Sequence, residues 1–93
     1  MQVDQGLLKE ILYINDIKEL TLFFEEIFTP GELADLSLRW KLLKDLHKGM
    51  TQRKIAEKYN MSLCKITRGS KILKNSESIS LKILDRMNNN CEL

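Results

Sequence analysis

Five residues between Leu63 and Lys71 have the types and the spacing to read nucleic acid. If the chain after Ser62 is helical, Leu63, Cys64, Thr67, Arg68 and Lys71 share one face, because successive residues turn by about 100°. That face joins a hydroxyl and small apolar groups to cations, a mix that suits thymine methyls, base edges and phosphates. It begins at the helix N-terminus, the end that enters a major groove in helix-turn-helix proteins. A second face, with Ile66, Gly69 and Leu73, is apolar and belongs to the core. A third carries Lys65 and Ile72, two turns apart, with Arg68 at its border.

The elements that must position these residues form a helix-turn-helix over residues 50–74. Thr51 is placed to cap a first helix, whose inward stripe is Ile55 and Tyr59. Asn60 follows where the chain must turn, and Asn tolerates the left-handed conformation such a turn needs. Ser62 is placed to cap the second helix. Ala56 is small enough to let the two helices approach, and Met61 and Ile66 are placed to pack across the angle between them. A structural helical hairpin with a solvated basic face is the competing reading, and the distribution of charge decides against it. Met1 to Leu36 carries two lysines against eight acids, whereas Ser37 to Leu93 carries thirteen Lys and Arg against five acids. A net charge of only +2 therefore conceals a basic C-terminal part suited to a polyanion.

The chain has 93 residues, 43% of them hydrophobic, and one proline. This predicts one soluble all-α domain, with dimerisation helices over 1–49, the helix-turn-helix over 50–74 and a C-terminal core helix over 77–90. Cys64 and Cys91 have no histidine at metal-ligand spacing, so reduced thiols and no metal site are expected. No signal peptide is evident and no apolar run reaches the roughly 18 residues of a membrane span, which predicts a cytoplasmic protein. No nucleophile with a base, paired carboxylates or phosphate-cradling glycine loop is present, which argues against an enzyme.

Upstream, Leu7, Leu8, Ile11, Leu12 and Ile14 recur at helical spacing and predict a helix from about Asp4 to Ile14. Asn15 and Asp16 interrupt it, and Ile17, Leu20, Phe24 and Ile27 mark a second. Thr29-Pro30-Gly31-Glu32 is a helix start with Thr at N-cap, Pro at N1 and Glu at N3. The third helix runs to Lys48, before Gly49. Its apolar positions cover half its circumference or more, from Leu33, Leu36, Trp40 and Leu43 on one side to Leu38, Leu42 and Leu46 on the other. A helix buried on two sides in so short a chain implies a homodimer with shared helices. Trp40 is expected as a core or interface anchor, and His47 as a complement to the helix dipole. Ile79, Ile83, Leu84 and Met87 predict a last helix to about Asn88, followed by a frayed tail through Cys91.

Thr29-Pro30, Arg39, Gly49-Met50-Thr51-Gln52-Arg53, Ile66-Thr67-Arg68-Gly69-Ser70 and Leu73-Lys74 together resemble the tryptophan repressor family. The resemblance covers about half the chain, from Phe28 to Lys74, and implies a six-helix subunit of an intertwined homodimer. Such a protein binds L-tryptophan as corepressor, with no other cofactor, and then an operator, so repressing genes of tryptophan biosynthesis or salvage. By position, Arg39 and Arg68 sandwich the indole, Thr29 helps hold the carboxylate, and backbone carbonyls of Glu26 and Phe28 take the amino group. Gly69, Ile72 and Lys65 border the same ligand. The resemblance assigns DNA contacts to Gln52, Arg53, Leu63, Cys64, Thr67 and Arg68, to which Lys71 and Lys74 add phosphate contacts.

Thr29 and Arg39 lie ten residues apart on one helix, roughly 15 Å along its axis, so one small ligand must take them from different subunits. Two positions depart from the family pattern: Lys65 stands where a small hydroxyl residue is usual, and Ile72 where a serine meets the amino group. The loop at Gly49-Met50 is also one residue shorter. The expected mechanism has tryptophan wedged between the core and the reading helix, setting the two heads near 34 Å apart to meet two half-sites. Two other readings compete: a helix-turn-helix regulator that binds DNA without ligand, and a protein-interaction module.

Overall fold

The computed structural model describes residues 2–91, with side chains as far as Asn88. Six α-helices follow one another: α1 (Gln5–Tyr13), α2 (Ile17–Ile27), α3 (Pro30–His47), α4 (Gln52–Tyr59), α5 (Leu63–Lys74) and α6 (Ile79–Cys91). Among the described residues there is no strand, and the protein is all-α. The chain forms two compact units, Met1–Asp35 and Leu36–Leu93.

In the first unit short polar residues start each helix. The Asp4 carboxylate accepts from the Leu7 N–H at 3.0 Å and the Asp16 carboxylate from the Lys18 N–H at 3.2 Å, each satisfying a donor the helix leaves orphaned. At the end of α2 the Phe28 N–H donates to the Phe24 carbonyl at 2.9 Å, and the two rings meet edge to face, 5.1 Å between centroids. The next helix begins in a capping box. The Thr29 N–H donates to Glu32 Oε1 at 2.9 Å, and the Glu32 N–H donates to Thr29 Oγ1 at 3.2 Å. No residue of α1 or α2 is buried, and Leu12, Tyr13 and Ile17 are each more than four-fifths exposed.

The second unit holds the core. Leu42 of α3, Ile55 of α4 and Ile66 of α5 are buried against one another, and Leu46, Met50, Ala56, Tyr59 and Met61 pack around them. α3 stops in a Schellman motif: Gly49 takes φ +98°, its N–H donates to the Leu46 carbonyl, and the Met50 N–H donates to the Asp45 carbonyl, both at 3.0 Å. α4 stops at Asn60, which adopts φ 52° and ψ 48°, so that the Met61 N–H can reach back to the Ala56 carbonyl at 3.2 Å. Thr51 caps α4 through the Lys54 N–H at 3.2 Å, but Ser62, at the corresponding position before α5, makes no capping hydrogen bond. Ile66 and Gly69 of the expected core face are buried and Leu73 is half-buried. A methyl group on Gly69 would lie 3.2 Å from Leu46 Cδ1 and 3.5 Å from Leu42 Cδ2, so the bare backbone lets α5 lie close on α3.

α6 packs on α5 and buries Leu84. It begins two residues after the expected start at 77 and continues through Cys91, where the sequence predicts a frayed tail. The Cys91 thiol lies outside the described side chains. His47 does more than face the end of its own helix: its Nε2 lies 2.7 Å from Asp85 Oδ1, which ties α3 to α6.

Asp45, in the last turn of α3, is a buried carboxylate of this unit. The Tyr59 hydroxyl donates to its Oδ2, and the Lys58 ammonium donates to the same oxygen at 3.1 Å. Burial alone pushes this carboxyl up, but the hydrogen bonds from Tyr59 and Lys58, with the charges of Lys58 and Lys48, hold it below the usual carboxylate range. A group lowered on folding adds stability above its unfolded pKa and loses it as the pH falls through the folded value. Asp45→Asn keeps an acceptor for Tyr59 but loses the charge. It is expected to be less stable than the native protein near neutrality by about 1–3 kcal/mol. Urea unfolding repeated from about pH 7 to pH 2 should find that gap closing on acidification.

Candidate functional site

In unit two, five of the residues expected to face DNA meet at one groove. Leu63, Cys64, Thr67, Arg68 and Lys71 of α5 are all exposed, as are Arg53 on α4 and Lys74 at the last position of α5. The Cys64 thiol is free. The first five of these residues line an open groove of about 740 Å³, together with Ile72, Asn75 and Ser78. Gln52 is half-buried, and the Thr67 hydroxyl donates to its Oε1 at 3.2 Å. That bond joins the first turn of α4 to the middle of α5 and leaves the Gln52 amide N–H groups free to meet acceptors such as phosphate oxygens.

A second cavity, about 270 Å³, opens between α3 and α5. Its volume lies just under the roughly 300–1,000 Å³ of small-molecule pockets. Leu42, Leu43 and Met61 give it an apolar floor, the Gly69 backbone forms part of the wall, and Arg39, Lys65 and Arg68 set three cations at its edge beside Ile72. No carboxylate is among the lining residues. Two guanidinium planes beside an apolar slot can stack on a flat ring and pair with an anion. Arg68 lines both the groove and the cavity, so one side chain borders the open face of α5 and the enclosed space between α3 and α5.

Five of the eight expected ligand residues, Arg39, Lys65, Arg68, Gly69 and Ile72, therefore meet at one cavity. Glu26, Phe28 and Thr29 stand at the α2–α3 junction of the first unit. There the Thr29 hydroxyl serves the capping box, and Pro30, four residues after Glu26, has no N–H to offer the Glu26 carbonyl. The sequence pattern places Leu42 and Leu43 on the apolar stripes of α3 and Met61 between the two helices of the helix-turn-helix, and does not single them out as cavity walls. Leu42 and Leu43 follow Arg39 by three and four residues, one helical turn, and that spacing would have found them.

The sequence model of the Trp repressor protein family matches residues 2–88. A Trp operon repressor homolog of Chlamydia trachomatis serovar L2 is 41% identical over 66 residues, which cover 70% of this chain and 64% of that protein. A Trp operon repressor homolog of serovar D of the same species is 40% identical over 63 residues, covering 67% of this chain and 61% of the relative. One of Chlamydia caviae is 42% identical over 53 residues, with 56% and 52% covered. The chain thus spans between about half and a little under two thirds of the length of these curated relatives. No solved structure matches it.

Proposed function

The chain belongs to the Trp repressor protein family, and on that premise we propose that it is a sequence-specific DNA-binding transcriptional repressor with L-tryptophan as its corepressor. The genes it controls serve tryptophan biosynthesis or salvage, and it acts as an intertwined homodimer in the cytoplasm. The observation that carries this reading is the double position of Arg68, on the wall of the ligand-sized cavity and on the exposed face of α5. A residue common to two sites is a direct physical link through which occupancy of one biases the other.

The indole lies between the guanidinium planes of Arg39 and Arg68, over Leu42, Leu43 and the Gly69 backbone. The partner subunit's Thr29 completes the carboxylate site, and carbonyls of the partner subunit's Glu26 and the partner subunit's Phe28 meet the amino group. The dimer covers the large apolar side chains that α1 and α2 leave in water. Occupancy favours DNA binding only through tighter binding of tryptophan to the DNA-competent arrangement, since equal affinity for both arrangements shifts nothing. A second reading, DNA binding without a ligand, draws its support from Lys65 and Ile72 at the cavity.

Phosphate contacts dominate the affinity of such a protein, so binding falls steeply as salt rises. Lys71→Ala and Lys74→Ala are each expected to weaken binding to all DNA sequences alike. Each removes one phosphate contact from each subunit of the dimer and should also reduce the slope of log affinity against log salt by about two. Fluorescence anisotropy with duplex DNA across a salt series measures both. Weak binding that ignores salt would contradict a DNA-binding role and favour a protein-interaction module.

A further inference from the structure

Resting on the DNA-binding reading above, we propose that Asp45 and Tyr59 form a latch that sets the direction of the reading helix. Tyr59 is then a positioning residue for DNA recognition, although it lies outside the groove along α5. Leu42, Ile55 and Ile66 pack α3, α4 and α5 together, but apolar contact is non-directional and fixes distance better than angle. Direction comes from hydrogen bonds. Among the described residues, the side-chain hydrogen bonds from α4 to α3 both end on Asp45 Oδ2, one from the Tyr59 hydroxyl and one from the Lys58 ammonium.

Stability alone is a poor account of this carboxylate. Asp45 is only 7% exposed and stands in the last turn of α3, where the helix carbonyls already concentrate negative charge. Apolar residues of similar volume in place of a buried ion pair are often neutral or stabilising, so what the charge adds is a fixed direction for its partners. Tyr59 is the last residue of α4, and Asn60 follows it in the left-handed conformation at φ 52°. The latch therefore clamps the chain immediately before it turns into α5. The 12 residues of α5 make a helix roughly 18 Å long, so a tilt of about 10° at the turn carries its far end about 3 Å. A hydrogen bond to a base edge or a phosphate tolerates only about half an ångström of variation.

Fluorescence anisotropy of the purified protein, at one moderate salt concentration with saturating L-tryptophan, tests this on two duplexes. One is enriched by the native protein from a random pool, and the other is unrelated and of equal length. The double variant Asp45→Leu, Tyr59→Phe removes the carboxylate and the hydroxyl together, so neither is orphaned, and the exposed Lys58 turns to water. It is expected to bind the enriched duplex at least tenfold more weakly and the unrelated one within twofold of the native protein. Its urea midpoint should be no lower than the native one. Tyr59→Phe alone leaves Asp45 paired with Lys58 and is expected to lose about threefold on the enriched duplex only. Native affinity of the double variant for the enriched duplex would overturn the inference. A loss shared equally by both duplexes would overturn it too, because a misdirected reading helix loses recognition and keeps its charge. If the double variant proves unstable, Tyr59→Phe decides, and an unchanged preference for the enriched duplex there removes the latch. A native protein that prefers neither duplex would sink the DNA-binding reading, and this inference with it.

Discussion

Arg68→Ala is expected to weaken tryptophan-dependent DNA binding by two orders of magnitude or more while leaving the fold intact. In the proposed complex the variant loses a charge-assisted contact to the ligand, worth roughly 1.5–3 kcal/mol. It also loses a contact on the DNA face, worth roughly 1–3 kcal/mol. The two add because one side chain lines both the cavity and the groove. Arg68 is exposed, so its removal should move the unfolding free energy by no more than about 0.5 kcal/mol. Arg68→Lys should rescue little, since an ammonium keeps the charge but not the planar surface that stacks on a ring. Arg39→Ala is the informative partner. Arg39 lines only the cavity, so its loss should abolish the response to tryptophan and spare DNA affinity measured without it. Anisotropy with and without ligand reads both, and a loss in Arg68→Ala no greater than in Arg39→Ala would mean that Arg68 does not contact DNA.

The largest effect on stability belongs to Ile66→Ala. Ile66 is wholly inaccessible to water and joins α5 to Leu42 of α3 and Ile55 of α4. Truncating such a side chain removes its transfer free energy and leaves a cavity, at a cost of roughly 2–5 kcal/mol. Domains of this size hold only about 5–15 kcal/mol in total, so the variant should be unfolded in a substantial fraction of molecules on mild warming. Urea unfolding followed by circular dichroism should find the midpoint lowered with the slope unchanged. Ile55→Ala should behave alike, whereas Leu63→Ala, at a position 56% exposed, should stay within about 0.5 kcal/mol of the native protein. A cost below about 1 kcal/mol for Ile66→Ala would mean that α4 and α5 are not closed on α3 in solution.

The parts of this fold that were legible in the sequence rest on interactions between near neighbours. Thr29, Pro30 and Glu32 spell a capping box within four residues, Asn60 stands where the backbone turns left-handed, and Gly49 ends α3. The helical period of α5 likewise separated the buried Ile66 and Gly69 from the exposed Thr67, Arg68 and Lys71. Ser62 is the local signal that misleads, since it occupies a capping position and makes no capping bond. What stayed hidden depends on residues brought together across helices. Nothing near Asp45 announces Tyr59, fourteen positions on, and nothing near His47 announces Asp85. Arg39, Lys65 and Ile72 were expected at the ligand from family likeness. Their convergence on one cavity, with Leu42, Leu43 and Met61 beneath them, rests on how closely α5 lies against α3.

The claim that everything else serves is that a ligand in the α3–α5 cavity governs binding of DNA by α5. The measurement is the affinity of the purified protein for duplex DNA that it has itself enriched from a random pool, at one moderate salt concentration, with and without saturating L-tryptophan. Tightening of tenfold or more, about 1.4 kcal/mol of coupling, is the predicted result. Equal affinity in both conditions would contradict it and leave a repressor that binds DNA without regard to tryptophan.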